Sequence, residues 1–284
     1  MSERLVTAGV NKETKSICML FPVQRNEFGA VTHEGFGTGF LWSNENSVFL
    51  VTNWHVATGL NPQTKRELSE DAFAPTHIDV YYRHLAKIGE NGAHAVAFPC
   101  KQIALYKEGK PVWLEHAEFE DCDVVLIPLE IDNWRDCTLP INSGEPLPAI
   151  TPRAADHCFV IGYPKGLRGA YDSPIWKGAT VATEPDMFYE DRPMFLIDTA
   201  TRKGMSGSPV LLEVNTTTFR DLGPSASGGA NRVFSTERKL IGVYSGRIGS
   251  EADGFQLGMV WRSSLLGEIA NNGVCRDHPL YRPA

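Results

Sequence analysis

The chain has 284 residues, with 27 Lys and Arg against 34 Asp and Glu for a formal net charge of −7, and it is 42% hydrophobic and 21% charged. That length can bury a core without covalent staples, and the composition excludes disordered and fibrous classes. No run of Lys and Arg interleaves with aromatic residues, so the expected partner is a protein or peptide and not nucleic acid.

In chain order, residues 1–15 are polar and mixed in charge, without the apolar core and small-residue cleavage site of a secretory signal. No later stretch reaches the roughly 18–20 unbroken apolar residues that span a bilayer. The expectation is a cytoplasmic chain with no membrane partner. The six cysteines, Cys18, Cys100, Cys122, Cys137, Cys158 and Cys275, form no C-x-x-C pair. They read as reduced, structural thiols, and neither a metal nor a cofactor is expected.

Short apolar stretches follow one another: Ser16–Val23, Gly37–Trp42, Val48–Thr52, His77–Tyr82, Ala95–Pro99, Val124–Leu129, Cys158–Gly162, Phe195–Ile197, Pro209–Val214 and Leu240–Tyr244. They are too short for helices, rich in Val, Ile and Phe, and bounded by Gly, Pro, Asn or Ser, which predicts an all-β chain. A Pro- and Gly-bearing segment within 139–155 cannot supply regular ladder bonds at its prolines and reads as a joint between two halves, 1–138 and 156–284. A weak helix is expected over Thr64–Ala72, and an exposed, mobile loop over Thr216–Asn231. A terminal helix is expected in Arg262–Gly273, where Leu265, Leu266 and Ile269 share a face.

Three segments carry chemistry. Lys203-Gly-Met-Ser206-Gly-Ser-Pro-Val210 is a small-residue turn feeding an apolar run. Acyl transfer by a serine hydroxyl needs a base beside it and backbone N–H groups aimed at the developing oxyanion, and the glycines flanking Ser206 permit the tight backbone this requires. Taken alone, the same residues also suit an ordinary turn. In Phe49-Leu-Val-Thr-Asn-Trp-His55, a histidine stands at the exit of a strand, a rigid seat for a base; His94, His116 and His157 lack the flanking apolar run. In Phe119-Glu-Asp-Cys-Asp123-Val-Val-Leu-Ile, an acid stands immediately before a strand apolar enough to be buried on both faces. Such a carboxylate requires a partner, and accepting an imidazole N–H fixes the tautomer that leaves the other ring nitrogen free. Asp121 and Glu120 compete for that role, and Asp123 is preferred because it abuts the strand.

The order His55, Asp123, Ser206, the first two before the joint and the third after it, resembles the chymotrypsin/trypsin-like serine peptidase superfamily. Val51-Thr-Asn-Trp-His-Val56 is similar to its histidine motif, Asp123-Val-Val-Leu-Ile to its aspartate motif and Gly204-Met-Ser-Gly-Ser-Pro-Val to its serine motif. Gly35-Phe-Gly-Thr-Gly-Phe-Leu41 and Val160-Ile-Gly-Tyr-Pro164 are similar to the bacterial HtrA-like and glutamyl-endopeptidase branches. The resemblance implies two six-stranded antiparallel β-barrels with the site in their cleft and a short C-terminal helix. The first barrel would hold His55 and Asp123, the second Ser206. It also implies an oxyanion hole from the N–H groups of Gly204 and Ser206, a pocket base at Ala200 and Thr201, a substrate-pairing strand at Tyr244, Ser245, Gly246 and Arg247, and an opposite wall at Gly258.

Two positions depart from the secreted members of that superfamily. Met205 stands where they carry the aspartate that pairs with a newly cut amino terminus, so no activation switch of that kind is expected and local packing must hold the turn. Val56 replaces a cysteine that follows the histidine. No acid lies at the pocket base, which points to small apolar residues or Glu at the cleavage point, with Arg247 narrowing the pocket, attracting an acid or standing as a solvated surface side chain. Competing readings are a catalytically silent module that grips a peptide as an added strand and an esterase or acyl transferase. Restraint is expected from Arg247, from the Thr216–Asn231 loop or from a regulatory protein partner.

Overall fold

The computed structural model describes residues 11–69, 73–88, 93–144, 150–220, 231–248 and 256–277. Before the joint run β1 (Ile17–Arg25), β2 (Val31–Glu34), β3 (Gly37–Ser43), β4 (Val48–Thr52), β5 (His77–Tyr81), β6 (His84–Ile88), β7 (Ala93–Ala97), β8 (Cys100–Ala104), β9 (Tyr106–Lys107), β10 (Lys110–Pro111) and β11 (Val125–Pro128). The helix α1 (Trp54–Thr58) lies between β4 and β5, and α2 (Trp134–Cys137) follows β11. After the joint run β12 (His157–Gly162), β13 (Ile175–Val181), β14 (Met194–Asp198), β15 (Pro209–Arg220), β16 (Asn231–Arg247), β17 (Leu257–Arg262) and α3 (Ser264–Asn272). Each apolar stretch named from the sequence falls on a strand.

The later strands close into a six-stranded barrel in the order β12-β13-β14-β17-β16-β15. The earlier ones form a seven-stranded sheet, β11-β4-β3-β1-β5-β8 with β2 on β1, which is not a closed barrel. Among the described residues, its ends are joined through residues 105–114: the Val112 N–H donates to Leu105 O at 3.0 Å, and Leu114 and Leu126 exchange bonds of 2.9 and 3.1 Å. Within the expected joint, residues 145–149 lie outside the described residues, and the Ile141 N–H donates to Leu41 O at 2.7 Å.

Alternation along the strands explains why they read as continuous apolar runs. Side chains on successive strand residues face opposite ways. On β1, Cys18 and Leu20 enter a core inside the first sheet, while Ile17 and Met19 enter a second cluster that both halves share. On β4, Leu50 faces the first core and Phe49 and Val51 the shared cluster. From the other side, β15 sends Leu211 into the shared cluster and Val210 and Leu212 into the barrel interior, and β17 splits Trp261 from Val260 in the same way. A strand with a core on each face has room for a polar residue only where its polar atoms find partners.

The terminal helix closes this shared cluster. Leu265, Leu266 and Ile269 of α3 enter it, and beyond the helix Val274 and Glu115 exchange backbone bonds of 2.8 and 3.0 Å, returning the chain to the first half. Among the described residues, no helix is long and apolar enough to cross a membrane.

Two expectations need correction. The helix over Thr64–Ala72 does not form: Asn61 Oδ1 accepts the N–H groups of Gln63 and Thr64, both at 2.9 Å, and such local side-chain bonds compete with a helix. Residues 70–72 of that segment lie outside the described residues. Nor is Thr216–Asn231 a loop throughout, because β15 continues to Arg220 and β16 begins at Asn231, paired from Thr216↔Ser235 to Arg220↔Asn231. β-branched Thr216, Thr217 and Thr218 suit a strand, and a two-stranded arm satisfies its own ladder without an apolar anchor; residues 221–230 lie outside the described residues. The sequence pattern also misses β8, whose burial alternates exposed and half-buried, and the Gly-interrupted β13 and β17.

Leu266 is fully buried. Leu266→Ala is expected to lower unfolding free energy by about 2–5 kcal/mol, read as a lower guanidinium midpoint at unchanged m. Burial pushes the Cys18 and Cys158 thiols up to about 12 and Cys122 well above its ordinary value. Burial withholds access and thiolate together, so at pH 8 a thiol-specific reagent should modify exposed Cys100 and Cys275 first, reaching buried Cys18, Cys122, Cys137 and Cys158 only on unfolding.

Candidate active site

β4 is buried along its whole length, which fixes where it ends, and α1 starts two residues later with His55 in its only turn. Asp123, at the entry to β11, is buried, and its strand pairs with β4 through Val125↔Thr52. That ladder brings His55 and Asp123 together. Asp123 Oδ2 lies 2.7 Å from His55 Nδ1, and Oδ1 accepts the His55 backbone N–H at 2.9 Å. The Asn53 side chain donates to Asp123 O at 2.6 Å. An ionised carboxylate only accepts, so Nδ1 carries the proton and the Nε2 lone pair is left available.

The competitors are engaged elsewhere. Asp121 Oδ2 accepts from Arg192 Nε at 2.5 Å, and the Glu120 side chain is 78% exposed. His116 pairs with Glu268 at 3.0 Å, and the His157 ring packs edge-on against Phe159.

Ser206 sits on the turn before β15, on the other half. Its Oγ donates to the Ser245 carbonyl at 3.4 Å, and the Ser245 hydroxyl donates to Asp123 Oδ2. One residue of β16 thus touches both the serine and the aspartate. Sequence reasoning gave Ser245 a place on the substrate strand and missed this second bond, which only the approach of β16 to β11 creates. Among the described residues, Ser206 Oγ makes no bond to the His55 ring.

The turn is built around glycine. Gly204 has φ +93°, and a Cβ there would lie 2.6 Å from Tyr163 O, while Gly207 has φ +84°. Among the described residues, the N–H groups of Gly204 and Ser206 have no partner; those between and after them do, with Met205 N donating to Arg202 O at 3.3 Å and Gly207 N to Tyr244 O at 2.9 Å. Met205 is fully buried in the barrel core, as local packing of the turn requires.

Of the expected pocket residues, Thr201 and Tyr244 are both buried and their hydroxyls bond each other. The Tyr244 ring lies against Gly258, where a Cβ would come 2.5 Å from its Cε2. Burial pushes the Tyr244 phenol up to about 12, opposed by the Thr201 bond and the Arg247 charge. Ala200 is half-buried beside Thr201, and Arg247, also half-buried, pairs with Gly258 across the β16–β17 ladder. Gly246 pairs with Met259 on that ladder, while β15 leaves β16 at Pro209↔Val243. The far edge of Ser245–Arg247 therefore has no neighbouring strand among the described residues. Those residues also include no group of three or more His, Cys, Asp and Glu able to hold a metal ion.

A family model for the trypsin-like peptidase domain matches residues 37–218, and the chain belongs to that family. The match spans His55, Asp123 and Ser206. Among solved structures, the chain is similar to a thermostable serine protease, AL20, from an extremophilic microorganism, with 13% identity over 92% of this chain and 98% of that one and a TM-score of 0.48. It is similar also to the protease Anisep from Arthrobacter nicotinovorans, at 15% over 90% and 96% with a TM-score of 0.46. For a protease from M. tuberculosis in its active form the figures are 16%, 96%, 84% and 0.45. No curated protein matches the chain.

The left-handed backbone at Gly204 has a measurable consequence. Gly204→Ala should destabilise the chain by about 1–3 kcal/mol. Gly267→Ala, on α3 with open space at its Cβ position, should instead stabilise it by about 0.5–1 kcal/mol. Thermal unfolding of both variants checks the contrast.

Proposed function

We propose that the chain is a serine endopeptidase in which Ser206 is the nucleophile, His55 the base and Asp123 the residue that orients the base. The observation that carries this reading is the double grip of buried Asp123 on His55, with Ser245 linking the same carboxylate to Ser206. In the reaction, Ser206 Oγ bonds to the scissile carbonyl carbon and passes its proton to His55 Nε2, and the carbonyl π electrons move onto oxygen. The unpartnered N–H groups of Gly204 and Ser206 receive that oxyanion. Collapse breaks the carbon–nitrogen bond, and His55 returns the proton to the leaving amine; water then repeats the sequence on the acyl-enzyme.

A protein or peptide substrate would lie as an added strand along the open edge of Ser245–Arg247. The pocket base offers only Ala200 and the paired hydroxyls of Thr201 and Tyr244, with the Tyr244 ring occupying space beside Gly258. Selection of small apolar residues or Glu fits those walls, and selection of Arg or Lys does not.

The runner-up is a silent peptide-binding member of the same fold. It draws on the Ser206 hydroxyl bonding Ser245 O and not the His55 ring. A fluorophosphonate probe separates the two. The enzyme reading expects labelling that disappears in Ser206→Ala and falls by about 10⁴-fold in Asp123→Asn; a folded wild-type chain that never labels supports the silent module. A peptide library with strong Arg or Lys selection would overturn the pocket assignment alone.

A further inference from the structure

We infer that Thr38, in the half of the chain opposite the serine, is the positioning residue that holds the Ser206 turn in its reactive shape, an assignment that rests on the peptidase reading above. Thr38 lies on β3 and is fully buried. Its hydroxyl donates to Gly204 O at 2.7 Å and accepts the Tyr163 N–H at 3.0 Å. A hydroxyl has a single proton, and the amide can only donate, so the direction of both bonds is fixed. The Thr38 backbone N–H donates to Ser206 O at 2.9 Å, and its carbonyl accepts from the Thr52 hydroxyl at 2.8 Å, at the end of the strand that launches His55.

The consequence follows from peptide planarity. In a trans peptide the C=O and N–H point in opposite directions, so anchoring one aims the other. The four carbonyls from Lys203 to Ser206 are all anchored. Lys203 O accepts from Lys165 N at 2.7 Å and Met205 O from Ser208 N at 3.0 Å, which turns the N–H groups of Gly204 and Ser206 away from those partners. The two alternate carbonyls, Gly204 O and Ser206 O, belong to Thr38. Without the Thr38 hydroxyl, the Gly204–Met205 peptide is left with the Met205 N–H bond to Arg202 O, long at 3.3 Å, and Gly204, at φ +93°, offers little steric resistance to its tilting.

Two independent features point the same way. Met205 occupies the position between the free N–H groups with an apolar side chain that supplies no hydrogen bond to the turn, so the polar anchor comes from the other half. Glycine also lines the approach: a Cβ on Gly207 would collide with Thr38 O, and one on Gly162 would lie 2.7 Å from Thr38 Oγ1. The second half thus leaves room for the Thr38 backbone at Gly207 and for its side chain at Gly162.

The test compares Thr38→Val, nearly isosteric but without the hydroxyl, with Thr38→Ser, which keeps it. The rate of fluorophosphonate labelling and kcat on a peptide ester should fall by about 10- to 100-fold in Thr38→Val, with KM within about threefold of wild type. Thr38→Ser should recover most of the rate. A merely structural role would lower stability without dividing kcat from KM. If Thr38→Val does not fold, Thr38→Cys replaces it, since a thiol is a weak donor that leaves the buried amide less exposed to loss. Equal rates in wild type, Thr38→Ser and the hydroxyl-free variant overturn the assignment while leaving the peptidase reading intact. A wild-type chain that never labels removes both.

Discussion

The arrangement depends on a buried carboxylate that must be satisfied. A carboxylate removed from water without partners is costly, and Asp123 meets that demand with three donors: the backbone N–H of His55, its Nδ1–H and the Ser245 hydroxyl. Those donors come from α1 and from β16, which belong to different halves of the chain. Satisfying one buried oxygen pair therefore orients the His55 ring and fixes β16 against the entry to β11. The position of Ser245 O beside Ser206 Oγ is then a consequence of the same demand.

Such precision across two halves needs a stiff interface, and the shared apolar cluster supplies it. Phe40, Phe49, Val51 and Leu126 come from the first sheet, Ile161, Leu211, Val243 and Trp261 from the barrel, and Leu265, Leu266 and Ile269 from the terminal helix. Close-packed interiors transmit displacement instead of absorbing it. A shift of either half would have to break this packing together with the Thr38 bonds to Gly204 and Ser206. The helix adds a second tie, because α3 follows the barrel in sequence yet its exit bonds back to Glu115.

Much of this was legible in the chain. Val48–Thr52 and Cys158–Gly162 announce themselves because a strand packed on both faces admits no polar break, and the order of His55, Asp123 and Ser206 follows from the types of residue that flank them. What was not legible depends on geometry that no local pattern carries. β8 alternates as an exposed edge does, so its apolar content is diluted. The Thr-rich stretch at Thr216–Arg220 reads as a loop because its sequence offers few apolar residues, although it pairs with β16 from Thr216↔Ser235 to Arg220↔Asn231. Closure of a first barrel was expected by analogy, whereas here β11 is four residues long and meets residues 105–114 at a single bridge. Ser245 was placed on the substrate strand and Thr38 within the Gly35–Leu41 stretch, but neither bond to the other half was legible, since a serine or threonine in a strand acquires such a role from the strand that crosses it.

The serine hydroxyl bears on how the two functional readings divide. Its bond to Ser245 O is 3.4 Å, long for an O–H donor, and a net hydrogen bond of ordinary length contributes only about 0.5–1.5 kcal/mol. Moving the hydroxyl to another staggered rotamer is therefore a small step, and catalytic bonds are commonly loose until substrate arrives. The features that folding alone would not favour are of a different scale: an ionised acid out of water, two amide N–H groups without partners among the described residues, and a left-handed backbone at Gly204. The first two carry a desolvation cost that bonds must offset, the third restricts the position to glycine, and Ser245 ties the acid to the Ser206 turn that holds the other two. A binding module that only accepts an added strand needs the open edge of β16 and none of these. Their concentration beside one hydroxyl is the physical reason the enzymatic reading is preferred to the silent one.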